Sequence, residues 1–195
     1  MRVPPFPLSI QRQHASARLT TLGFTAIELL ITIAILGVLA ALASPSLRDT
    51  VERWRVRQAL EGMTATVYYA RSEAIKRGGN ITIRKEANNT GGCTAAPTNE
   101  DWGCGWVVFV DTNGDGTQQA GEETLQTHPS TTGVAVMVPG SSGKISVNRW
   151  GVMSGINAKA FAFTPQGGNE SHRASAAMCV AAGGRIRTVA GDATC

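Results

Sequence analysis

Apolar residues along this chain fall into three regimes. From Phe24 to Ala43 they run almost unbroken, 20 residues whose only ionisable side chain is Glu28. Twenty helical residues rise about 30 Å, the hydrocarbon thickness of a bilayer, so the run predicts a membrane-spanning helix. Beyond it the pattern becomes one-sided: Leu60, Met63, Val67, Ala70 and Ala74 recur at intervals of 3 and 4, and Leu47, Val51 and Trp54 continue the stripe upstream. Lys76 and Arg77 then supply cations for a last turn, and Gly78 and Gly79 end it. The prediction is a helix from Phe24 to about Arg77, roughly 80 Å long, apolar all round at first and on one side later.

After Gly79 the runs are short and alternate. Asn80–Lys85, Trp106–Val110, Glu123–Thr127, Val134–Val138, Lys144–Arg149, Ala160–Thr164, Ala176–Ala181 and Arg185–Val189 are the predicted strands, separated by Gly, Pro, Asn and Ser clusters. A helix followed by strands predicts an α+β fold, the stripe of the helix laid on an antiparallel sheet.

The net charge of +4 says little, because Arg2, Arg12 and Arg18 precede the apolar run and the rest carries 15 basic against 14 acidic residues. Distribution says more. Glu86 to Ser142 holds seven acids and no Lys or Arg, whereas Gly143 to Cys195 holds six basic residues against Glu170 and Asp192. The four cysteines lack CxxC spacing and lie far from His14, His128 and His172, which argues against zinc. Behind a membrane-targeting segment they point to disulfides in an oxidising compartment. Three pairings are open, of which the two local bonds, Cys93–Cys104 and Cys179–Cys195, are preferred.

Glu28 is the anomaly. A secretory signal peptide would offer Ala41-Leu42-Ala43 as a cleavage site before Ser44, but the run is too long for one and a carboxylate within it is unfavourable. A plain anchor explains the length and leaves the acid unpaired in lipid. The arginine-bearing, acid-free leader predicts a cytoplasmic N-terminus and an exported remainder.

The stretch GFTAIELL resembles the processing site of type IV prepilins. That resemblance implies a leader of residues 1–23 cut after Gly23 by a prepilin peptidase, and a methylated N-terminus at Phe24. Glu28 then becomes the fifth residue of the mature chain. Cleavage frees an ammonium one helical turn from Glu28, and in a filament this carboxylate can neutralise the terminal amine of a neighbouring subunit. An unpaired buried charge costs several kcal/mol, so the pair would favour one docking register.

The resemblance extends along the chain to the GspH/FimT family of minor pilins and pseudopilins. GCGWVVFVDTNGDG followed by GEETL is similar to that family's first hairpin, and FTPQG with CVAAGGRIRTV is similar to its last strands. It implies a type IV pilin fold: a transmembrane helix over 24–43, its amphipathic continuation over 44–78, and a periplasmic β-rich domain over 79–195. It also implies a single-pass inner-membrane protein that enters a pilus or pseudopilus, with other minor and major pilins as partners. No cofactor is expected.

Two segments carry candidate chemistry. Asp111, Asn113, Asp115, Gly116 and Glu122 fit a calcium-loop pattern, D-x-[DN]-x-[DN]-G-x5-E. Here, however, strands flank the loop, and a hairpin using Asn-Gly and Asp-Gly for positive φ is the expected reading, with no metal. The second segment is AAGGRIRTV. Strand alternation puts Arg185 and Arg187 on one side, roughly 6.6 Å apart, with Ile186 on the other. Two guanidinium forks at that spacing suit successive phosphates, although they also suit a merely soluble edge strand. A turn centred on the two glycines sets Cys179 opposite about Thr188. A Cys179–Cys195 bond would then fold the last residues back over the hairpin, stabilising it by about 3 kcal/mol.

In the FimT branch a Gly-Arg-x-Arg motif near the C-terminus contacts DNA in natural transformation. Gly184, Arg185 and Arg187 match it, with Arg173, Arg149 and Lys144 as candidates to extend the patch. The expected function is a minor pilin that binds double-stranded DNA through its phosphates. The alternative is a structural pilin, or a pseudopilin of type II secretion, that primes assembly. An enzyme is the least expected class, since there is no GxSxG, P-loop or HExxH motif.

Overall fold

The computed structural model describes residues 24–154, 160–181, 184–191 and 195, with backbone only for 43–46. The expected leader, Gly23 included, lies outside the described residues. The chain divides between Ala43 and Ser44 into two compact units, and helix α1, Ala26–Arg77, contributes to both.

In the first unit α1 begins on a local cap. The Thr25 hydroxyl accepts a hydrogen bond from the Glu28 amide, 3.3 Å, and the Glu28 carboxylate accepts from the Thr25 amide, 3.1 Å. This reciprocal pair is a capping box, T-x-x-E. From Phe24 to Leu42 the apolar side chains are exposed all round. No single helix among the described residues is long and apolar enough to cross a membrane. Ala26–Leu42 and Leu47–Arg77 taken together reach that threshold by length and composition alone.

The second unit is built on the predicted stripe. Leu60, Met63, Val67, Ala70 and Ala74 are buried as predicted, but the stripe does not continue through Leu47, Val51 and Trp54, which are exposed. Val56 and Ala59 extend it instead, since burial starts only where the helix meets the sheets. Two antiparallel sheets meet α1. The first has the order β3-β2-β1-β5-β6, from β1 (Ile81–Lys85), β2 (Gly105–Val110), β3 (Thr124–Pro129), β5 (Lys144–Val147) and β6 (Met153–Ser154). The second has the order β4-β7-β8-β9, from β4 (Val134–Met137), β7 (Ala160–Pro165), β8 (Ala176–Val180) and β9 (Ile186–Ala190). Ile81, Ile83, Val108 and Ile145 from one sheet join Phe161, Phe163, Met178 and Val180 from the other in a single core. Each such side chain stabilises the fold by about 1.5–3 kcal/mol.

Every predicted strand is present, with shifted ends. β3 extends to Pro129 because His128 pairs with Trp106 and Pro129 with Gly105. A proline is tolerated there, since β3 is an edge strand whose N–H is not needed. β6 is not predicted by the pattern; two residues are too few to show alternation.

At its C-terminal end α1 is clamped by charge. Arg77 donates to Glu73, 2.7 Å, and to Glu123, the residue before β3, 2.6 Å. The Arg77 guanidinium holds both carboxyls below their usual range. Both predicted disulfides form, Cys93–Cys104 and Cys179–Cys195.

Candidate nucleic-acid interface

The basic hairpin is formed by β8 and β9, with β9 the outer strand of its sheet. Its register differs by one residue from the sequence expectation. Cys179 stands opposite Arg187, not Thr188, and Val180 opposite Ile186. The hairpin closes with the Ala181 amide donating to the Arg185 carbonyl, 2.9 Å, and the Gly184 amide to the Ala181 carbonyl, 2.7 Å. Three residues thus separate the closing pair where two were expected, and Gly184 supplies the positive φ, 77°, that such a loop requires.

The alternation itself is as expected. Ile186 packs against the core, while Arg185 and Arg187 are exposed. Both guanidinium-bearing residues line a cavity of about 250 Å³ with Cys179 and Cys195, so the disulfide borders the arginine-bearing face. The bond ties Cys195 to β8 and gives the arginine-bearing face a fixed neighbour.

A second restraint comes from α1. Arg71 donates to the Gly184 carbonyl, 2.7 Å. A Cβ on residue 184 would lie 2.8 Å from the Arg71 guanidinium. Glycine is therefore required twice, by its backbone angle and by the cation packed against it. No feature of the sequence pairs Arg71 with a residue 113 positions away.

The other candidate cations are dispersed. Arg173 lines a groove of about 610 Å³ between α1 and β9, together with Arg53, Arg57, Leu60, Tyr68 and Val189, next to the Thr188–Ala190 end of β9 and away from Arg185. Lys144 lies in the first sheet, its ammonium donating to the Asp115 carbonyl, so it does not join the hairpin. Arg149 is exposed on the turn between β5 and β6. That turn approaches Arg71: a Cβ on Gly151 would stand 3.5 Å from Arg71 Nε.

The calcium-like loop folds over the first sheet. Asp111 is buried, one oxygen accepting from Thr82, 2.8 Å, and from the Gly116 amide, 2.9 Å; its other oxygen has no hydrogen-bond partner. Glu122 accepts from the amides of Thr112, 2.8 Å, and Gln119, 2.9 Å. Asn113 and Asp115 bond each other, and Asp115 caps the Thr117 amide at 2.6 Å. Arg84 donates to the Gly116 carbonyl at 2.5 Å. The loop's acids are thus turned onto its own N–H groups, and two cations face its carbonyls. Among the described residues no three His, Cys, Asp or Glu side chains converge as a metal-holding group.

A helix whose stripe packs on two antiparallel sheets is the fold of type IV minor pilins. The minor pilin FimU of Pseudomonas aeruginosa, solved in two crystal forms, matches 71% of this chain and 90% of its own with a TM-score of 0.53 at 19% identity. Its second form gives a TM-score of 0.49 at 21% identity, over 68% of this chain and 91% of that one. The chain belongs to the GspH family, described as type II transport protein GspH, whose model matches residues 59–192. It is also 33% identical over 110 residues to the pilin-like protein PilA1 of Thermus thermophilus. That match covers 56% of this chain and 61% of the relative, so the chain spans about three-fifths of the relative's length.

Proposed function

We propose that this minor pilin binds DNA without sequence preference at or near the tip of a pilus, for uptake in natural transformation. The observation that carries the reading is the exposed pair Arg185 and Arg187 on one side of β9, on a hairpin held by the Cys179–Cys195 bond and by Arg71. A restrained backbone presents the two guanidinium groups on one side, and phosphate contacts carry no sequence information. The reading includes cleavage after Gly23, methylation at Phe24, and insertion of the apolar helix in the inner membrane with the β-rich unit in the periplasm.

The test is a gel shift with full-length protein in detergent. Arg185→Gln with Arg187→Gln should weaken binding to unrelated duplexes alike, by about tenfold in low salt, and reduce the salt slope by about two. Unchanged binding by the double variant removes these residues from the role.

A second reading is favoured by the family's description as a type II transport protein. On it the chain is a pseudopilin that primes a secretion filament, and the arginines only keep an edge strand soluble. A deletion strain that loses secretion and keeps transformation would select it.

A further inference from the structure

One surface feature is untouched by the phosphate-binding reading. Trp150 is 76% exposed, more than any other tryptophan among the described residues, and Val152 on the same turn is 46% exposed. Its exposure does not come from a slack loop. Asn148 closes the β5–β6 turn with its amide donating to the Val152 carbonyl, 3.0 Å, and its carbonyl accepting from Gly151, 2.8 Å. The Asn148 side chain also accepts from the amides of Trp150 and Val152, both at 3.0 Å. The turn is seated on α1, where a Cβ at Gly151 would stand 3.3 Å from Ile75 and 3.5 Å from Arg71. The same Arg71 side chain holds Gly184. The turn bearing Arg149 and Trp150 and the hairpin bearing Arg185 and Arg187 therefore meet at one guanidinium, at the end of the second unit remote from Ser44. Leu47 and Arg71 are separated along α1 by about 36 Å.

The segment that carries the ring bears cations only. The sequence from Gly143 to Asn169 contains no acid. On this end of α1, Glu73 is engaged by Lys76 and Arg77. A protein partner covering Trp150 would have to desolvate Arg149 and its neighbours or answer them with acids. A nucleic acid answers them with phosphates and offers base faces to the ring.

We propose that Trp150, displayed beside Arg149 on the β5–β6 turn, is a base-stacking platform, so that this end of the protein prefers nucleic acid with unpaired bases to closed duplex. The proposal rests on the DNA-binding reading above and adds a ligand class to it. In an intact duplex every base face is covered by its neighbours, and an indole finds one only at a single strand or a frayed end.

The experiment uses full-length protein in detergent with three DNAs of one sequence: a single strand, a linear duplex with single-stranded overhangs, and a closed circle. Trp150→Ala should lower affinity for the first two by about 5- to 100-fold and leave the circle within about twofold. Trp150→Phe should retain most of the binding, and quenching of tryptophan emission by the single strand should vanish in Trp150→Ala. Equal loss on all three DNAs, or no loss on any, overturns the proposal. If Arg185→Gln with Arg187→Gln abolishes all binding while Trp150→Ala changes nothing, the phosphate reading stands and this one falls. If the wild type binds none of the three, both fall. If Trp150→Ala spares DNA binding but lowers incorporation into filaments, the ring is a pilin contact and the proposal is overturned.

Discussion

Gly184 shows how far single residues can be read from sequence. The GG pair announces a turn, and the alternation after it correctly opposes Ile186 to the two arginines. The partner that makes glycine necessary, Arg71, lies in a helix that the local pattern cannot connect to the hairpin. Two alanine substitutions separate the two demands on this glycine. At Gly167, φ is +81° and nothing lies within 4 Å of the added Cβ, so alanine there should cost only the left-handed backbone penalty, about 1–2 kcal/mol. Gly184→Ala adds displacement of Arg71 and should cost more, with faster amide exchange in β9; equal unfolding midpoints for the two variants would contradict this. Glu28 is the opposite case. Its capping box with Thr25 is legible as TAIE, yet the apolar setting points to an intermolecular partner and hides the local one.

At the level of elements, stripes and alternation placed α1 and eight of the nine strands, because burial imposes periods of 3.6 and 2 on the residues that face the core. Strand ends and the β5–β6 turn were less legible, since they depend on contacts between elements. Trp106 and His128 on β2 and β3 illustrate this. Their rings stack at 4.3 Å, and the imidazole lies so close to α1 that a Cβ on Gly62 would be 2.3 Å from Nε2. Burial lowers the His128 pKa from its ordinary 6.5. The unfolded chain therefore binds a proton at a higher pH than the folded one, and stability is lost as pH falls from about 6.5 toward the depressed value. Urea midpoints should decline between about pH 7 and 5.5, and His128→Gln should flatten that decline. The carboxyls of Glu73 and Glu123, lowered by Arg77, act only below about 4.5 and so in a separate window. A midpoint independent of pH above 5.5 would remove His128 from this role.

For the whole molecule, the order of regimes along the chain already specified an apolar helix followed by a helix packed on strands, and the family match covers most of the packed part. On the proposed reading, the apolar part acts through neighbouring subunits. On the proposed assembly, Glu28→Gln leaves the globular unit folded and sharply reduces incorporation into filaments, because a terminal ammonium is left buried without a counter-charge. Sheared-filament immunoblots compared with total cell protein would measure it, and normal incorporation would end that account. The alternative local role predicts a smaller effect, since glutamine also serves in a capping box.

On the proposed function, the bond between Cys179 and Cys195 would link affinity to the compartment the chain is in. A nascent chain in a reducing cytoplasm keeps both thiols, and β9 is then held by its pairing with β8 and by Arg71 at the turn, without the Cys195 tether. On the proposed function, a complete grip on polyanions arises only after export, so the chain does not compete for the cell's own chromosome while it waits to cross the membrane.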